Sequence, residues 1–173
     1  MAEGPDRPPH QVIADHVASF AARTDEEVLQ ALAALAPLPD EDSAEWDDEQ
    51  TWDRANLYTA LADVAAIRRL RAAIPLLLER ASFGDPGEMM RGLRHSLEAI
   101  VNPDWGALTT ACMDLAASDR PGTRLWALTQ LATLADERAR PIFEAASESP
   151  LQDIREAGEL GVFRLDRAGN TED

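Results

Sequence analysis

Apolar residues recur every three to four positions along most of the chain. In HQVIADHVASFAAR, the residues Val12, Ile13, His16, Val17 and Phe20 fall on one helical face. A second run starts at Thr24, which stands at capping-box spacing from Glu27, so that each side chain can satisfy the other's backbone amide. It continues through Val28, Leu29, Leu32 and Leu35 and ends at Pro37 and Pro39, because proline has no amide to donate and its ring clashes with the preceding turn. Beyond residue 53 the periodicity predicts helices at about 53–66, 69–82, 87–101, 104–118, 122–134, 137–148 and 150–165. Asp85-Pro86, Asn102-Pro103 and Ser149-Pro150 each set a capping residue before a proline suited to the first helical position, and Ser149 has Gln152 at capping-box spacing. The expectation is at least eight helices and no sheet, an all-α fold.

These helices repeat one another. Arg54 is followed by Leu57, Leu61 and Val64; Met90 by Leu93, Leu97 and Ile100; Arg124 by Ala127, Leu131 and Leu134; Arg155 by Gly158, Val162 and Leu165. The four anchors lie 36, 34 and 31 residues apart, an interval that marks stacked helix pairs. The second helices match as well: AAIPLLLERAS from Ala72 aligns with RARPIFEAASE from Arg138 and sets Pro75 on Pro141. A lone helical hairpin cannot bury the apolar stripes of both its helices, whereas neighbours stacked side by side share them. That requirement explains breaks at fixed places, with Pro141 in a first turn where a missing amide costs little.

First helices with Arg before an Ala/Leu stripe, a short turn such as Leu134-Ala135-Asp136, and second helices with an early proline resemble HEAT-type repeats. The resemblance covers about residues 53–165. It is clearest over 121–165 and weakest over 87–118, where Met90 replaces the expected Arg and Ala107 the expected Pro. It implies an α-α superhelix, a HEAT-like solenoid of antiparallel helix pairs of the armadillo type, with the pair at 10–37 as a degenerate capping repeat. It also implies a concave ligand face formed by the second helices. The expected organisation is a flexible tail at 1–9, a single repeat domain at 10–166 carrying an acidic loop at 40–53, and a flexible tail at 167–173.

Composition narrows the chemistry. The chain has 173 residues, 45% of them hydrophobic and only 5% aromatic, enough for a core and suited to close-packed helices. All 16 basic residues are Arg. The absence of Lys removes Schiff-base chemistry, the phosphate-loop lysine and Ser-x-x-Lys nucleophiles. An Ala- and Arg-rich, Lys-free composition points to a GC-rich bacterial genome. The net charge of −16 repels phosphate backbones and anionic lipid, so neither direct nucleic-acid nor membrane binding is expected, and a cationic partner is favoured. Cys112 is alone, which excludes an internal disulfide, and its Ala-Leu surroundings mark it as core. The acidic, proline-rich start MAEGPDRPPH has no signal-peptide character and no apolar run approaches 18 residues, so a cytoplasmic protein is expected.

Catalytic motifs are few. His10, His16 and His95 are too scattered for a local metal set, and there is neither a Gly-rich phosphate loop nor a Gly-x-Ser-x-Gly elbow. Asp40 and Asp42 imitate the start of a calcium loop, but Glu45 then occupies the glycine position and Thr51 the bidentate Glu position. No metal and no cofactor is expected. The candidate site is DEDSAEWDDEQTWD, residues 40–53, with eight acids, no base and two Trp. Here Asp42, Glu45, Asp47, Asp48 and Glu49 surround the anchors Trp46 and Trp52, an arrangement suited to steering and docking a basic protein surface. The plainer reading is a solvated linker with both Trp folded back on the first helices. The expectation is therefore a non-catalytic module that binds a basic protein, of immunity, antitoxin or regulatory type. The alternative is a HEAT-like DNA-base-excision or protein-modifying enzyme. Alkylpurine glycosylases of similar architecture use a Trp and an Asp, for which Trp105, Asp114 and Trp126 are the candidates, but DNA would need a basic patch this chain lacks.

Overall fold

The computed structural model describes residues 8–40, 43–82 and 88–169, with residues 88–91 as backbone alone. Among them there are nine α-helices, two short 3-10 helices and no strand, so the fold is all-α. The chain divides into two compact units, Met1–Pro103 and Asp104–Asp173, where the sequence reading expects one domain at 10–166.

The first unit holds α1 (Pro9–Ala21), α2 (Asp25–Ala34), α3 (Glu49–Arg68), α4 (Ala73–Arg80) and α5 (Glu88–Val101), with a 3-10 helix at Ala44–Asp47. Helix α3 is central: α1, α2, α4 and α5 all pack on it, and α2 also packs on α4. Its Ala60, Leu61 and Ala65 have no exposed surface, and neither do Val28 and Leu32 of α2 or Leu77 and Leu78 of α4. Each leucine so buried contributes about 1.5–3 kcal/mol relative to exposure. The expected capping box at the start of α2 is present: the Glu27 amide donates to Thr24 Oγ1 at 3.2 Å and the Thr24 amide to Glu27 Oε2 at 2.7 Å. Hydrogen bonds from the Thr24 amide and hydroxyl to the charged form hold the Glu27 carboxyl below its ordinary value. The Arg68 guanidinium ties the helix ends together. It donates to the carbonyls of Phe20 (2.9 Å), Ala21 (3.1 Å) and Arg23 (2.9 Å) within and beyond the last turn of α1, and to Asp25 Oδ1 (3.0 Å) at the start of α2. A cation is favoured where orphan carbonyls end a helix.

The second unit holds α6 (Gly106–Leu115), α7 (Pro121–Leu134), α8 (Arg140–Ser147) and α9 (Gln152–Gly169), with a 3-10 helix at Glu137–Ala139. Helix α7 packs on α6 and α9, and α8 packs on α9. The last contact is very close. A Cβ added at Gly161 would fall on the Phe143 ring, and one at Gly158 would meet the α8 backbone at Phe143, Ala146 and Ser147. Phe143 has no exposed surface. Glycine is therefore required here for close helix approach rather than for an unusual backbone angle.

Two helix ends share one backbone conformation. Helices α3 and α7 each end in a left-handed residue other than glycine, Arg69 at φ 54° and Ala135 at φ 49°. The Leu70 amide closes on Ala65 O at 2.9 Å and the Ala135 amide on Leu131 O at 3.0 Å, both motifs that satisfy terminal carbonyls. An interval of 66 residues separates Arg69 from Ala135, and the same interval separates Pro75 from Pro141. Of the aligned stripe positions whose side chains are described, Leu57, Leu134 and Val162 are half-buried and the rest are buried.

Several boundaries differ from expectation. Residues 40–53 are not a loop throughout: Ala44–Asp47 is a 3-10 helix and α3 begins at Glu49, not 53. The reason is local, since Ser43 caps the first and Asp48 accepts from the Gln50 amide at 3.3 Å, and acids at a helix start are favoured by its dipole. An acidic run has no apolar spacing, so periodicity cannot see this turn. Asn102-Pro103 does not start a helix; α6 begins at Gly106, whose amide donates to Asp104 Oδ1 at 3.1 Å. Likewise Ser149-Pro150 precedes α9 without starting it, the Ser149 hydroxyl accepting from the Leu151 amide at 3.3 Å. Of the two expected tails, Pro9 opens α1 and Arg167–Gly169 continue α9, while residues 1–7 and 170–173 lie outside the described residues. Asp85-Pro86 lies outside them too.

Candidate functional site

The acidic segment folds into a pinned pair of tryptophans. Trp46 Nε1 donates to Asp40 O at 3.0 Å, and Trp52 Nε1, from the first turn of α3, donates to Trp46 O at 2.7 Å. The two rings lie 5.0 Å apart between centroids at 52°, within the range of favourable aromatic pairs. Trp46 is half-buried, while Trp52 keeps 53% of its surface exposed. Both indole N–H groups are thus used internally, and what remains available is ring surface.

Around these rings the structure places the predicted acids in different roles. Glu45 is exposed and lies 3.8 Å from Arg54 Nη2, a separation that contributes little at a surface. Asp48 caps α3. Asp47 and Glu49 are exposed. Asp42 lies outside the described residues.

Both tryptophans line a groove of about 720 Å³ within the first unit, a volume in the range of binding pockets. Pro9 and Ile13 of α1, Leu93 of α5 and Ala55 and Ala62 of α3 supply apolar wall. Most polar lining groups are already engaged. Tyr58 Oη donates to Leu77 O (2.9 Å), Thr59 Oγ1 to Ala55 O (2.9 Å), Ser82 Oγ to Pro39 O (2.6 Å) and Ser96 Oγ to Gly92 O (3.1 Å). Burial pushes the Tyr58 hydroxyl far above its ordinary value, so it stays neutral. Asp63, on the same face of α3, is the lining's acidic group; burial raises its carboxyl above its ordinary value, and the charge of His95 on α5 acts in the opposite sense. Asp63, Asn56 and Tyr58 are not singled out by the sequence reading. The available signal was a carboxylate set among small apolar residues in TALADVAA, in the interior of a helix.

Other candidates fall elsewhere. Trp105 is 39% exposed just before α6, Asp114 is exposed on α6, and Trp126 is half-buried on α7, all in the second unit. Cys112 has no exposed surface and burial pushes its thiol up to about 12, which suppresses the nucleophilic thiolate. His10 and His95 are exposed and His16 half-buried, and no cluster of three metal-ligating side chains exists among the described residues. Among those residues no helix is long and apolar enough to cross a membrane. No family model, no curated protein and no solved structure matches the chain.

Proposed function

We propose that this protein is a non-catalytic module that binds a basic protein partner through the first unit, by way of Glu45, Trp46, Asp47, Asp48, Glu49 and Trp52. The observation that carries the reading is the tryptophan pair: two rings held by internal hydrogen bonds on an acid-rich segment, one of them more than half exposed beside an apolar groove. Ordered aromatic anchors beside uncompensated charge suit partner docking, with the ring surface supplying affinity and the charges supplying steering. We further propose a HEAT-like arrangement of the helix pairs, of the armadillo type. It is supported by the 66-residue echo of αL caps and early prolines, and by first helices packing on first helices, α1 on α3 and α3 on α5 in one unit and α7 on α9 in the other.

The test is a salt series of association and dissociation rates against the partner recovered with the intact chain from its host. Changing Glu45, Asp47, Asp48 and Glu49 to amides should slow association and flatten its salt dependence, and the side-chain amide oxygen then present at position 48 can still cap α3. Trp52→Ala should speed dissociation instead, by about tenfold or more. Unchanged rates in both variants would remove the segment from the binding surface.

A further inference from the structure

We propose that the groove beside the tryptophan pair seats an arginine side chain carried on an extended segment of the basic partner, an inference that rests on the protein-binding reading above. The indole N–H groups of Trp46 and Trp52 and the hydroxyls of Tyr58, Thr59 and Ser96 all donate inward to backbone carbonyls. Besides the Asn56 carboxamide, what the lining keeps open is acceptor capacity, with Asp63 its only acidic side chain among the described residues and His95 on α5 the base whose charge acts on it. The Asp63 carboxylate makes no hydrogen bond or ion pair to a described residue, which is costly for a half-buried charge. An occupant that brings donors and a positive charge meets both conditions.

Shape and charge together select the source. A volume of about 720 Å³ exceeds one side chain and takes the flanking residues of a peptide as well. The segment that contributes Trp46 and Trp52 also carries exposed Glu45, Asp47, Asp48, Glu49 and Asp53, so several positive charges in series would find partners, as a single small cation would not. Guanidinium suits the place better than ammonium, because its plane stacks on the free indole faces while its fork of N–H groups reaches a carboxylate.

The experiment titrates the intact chain with the blocked peptide Ala-Leu-Arg-Leu-Ala and with its neutral citrulline counterpart, following the indole N–H resonances of Trp46 and Trp52 by NMR. The arginine peptide should bind saturably, at least about tenfold tighter than the citrulline peptide, and shift those two resonances. Asp63→Asn should erase that preference while leaving citrulline binding unchanged. Equal binding of the two peptides, a preference that survives Asp63→Asn, or no saturable binding by about 10 mM arginine peptide would each overturn the inference. If the peptide fails while the amide variants at Glu45, Asp47, Asp48 and Glu49 still slow partner association, the groove is not the seat and the protein-binding reading stands. If the peptide binds through Asp63 while those variants leave the rates untouched, the seat stands and the acidic segment is not its guide.

Discussion

The two units meet the same problem, holding short helices together, by different means. In the second, α9 lies against α8 so closely that Gly158 and Gly161 leave no room for a methyl group, and three acids around these helices pair with arginines. Arg138 pairs with Asp136 at 2.6 Å, and Arg140 reaches Glu137 at 2.9 Å and Asp166 at 3.0 Å. In the first, Arg68 grips backbone carbonyls at the helix ends, a groove remains open beside α3, and Asp47, Glu49 and Asp53 have no described partner. Unmatched charge beside open apolar surface adds nothing to stability. The first arrangement leaves an open groove beside α3, whereas the α8–α9 contact of the second leaves no space between its helices.

The contrast can be broken most forcefully at the glycine contact. Gly158→Ala should destabilise by about 3 kcal/mol or more, since the added methyl meets backbone that cannot rotate away. Phe143→Ala should cost about 3–5 kcal/mol from the other side of the same contact. In both variants amide exchange should accelerate in α7 to α9. A loss below about 0.5 kcal/mol in chemical denaturation would show that this packing does not hold α8 to α9.

The guanidinium clasp should matter less. Arg68→Ala removes a half-buried cation from three carbonyls and a carboxylate, and should cost about 1.5–3 kcal/mol, read as a fall in the denaturation midpoint with exchange accelerating at the α1–α2 junction. Arg68→Lys cannot reach all four acceptors and should recover only part of it. Full recovery by lysine would reduce the clasp to a point charge.

Smaller still is the shared device. Arg69→Gly and Ala135→Gly each relieve a left-handed residue and should stabilise by about 1 kcal/mol. The gain should be similar at the two sites if α3 and α7 are equivalent members of a repeat. A gain at one and a loss at the other, in paired thermal melts, would separate them.

The smallest effect is in acid. The Thr24 amide and hydroxyl lower the Glu27 carboxyl in the first unit, and the guanidinium hydrogen bonds of Arg138 and Arg140 lower Asp136 and Glu137 in the second. A carboxyl whose folded value is depressed binds fewer protons folded than unfolded, so its stabilisation is complete above its ordinary value and fades as pH falls through the folded one. Stability should therefore decline below about pH 4.5, and Glu27→Gln should flatten that slope slightly. A Glu27→Gln curve parallel to wild type would show that the capping box carries no pH dependence.

The sequence determined the helices and their order. Period, prolines and the capping box are local signals, so at least eight helices, against nine among the described residues, the Thr24–Glu27 cap and Pro141 in the first turn of α8 were readable before any packing was known. The stripe also marked Leu57, Leu61, Leu97, Leu131 and Val162 as core; Leu61, Leu97 and Leu131 are buried, while Leu57 and Val162 are half-buried. The acidic tryptophan segment stood out by composition, but not its conformation, because caps such as Asp48 act through one amide and leave no periodic trace. The tertiary structure alone decided that Trp46 and Trp52 join residues of α1, α3 and α5 around one groove, and that Asp63, not the acidic run, supplies the charge in its wall. It also decided why Gly158 fills a stripe position otherwise held by Leu or Ala. Both depend on which helix backbone passes opposite a given residue, a long-range fact that no window of the chain contains.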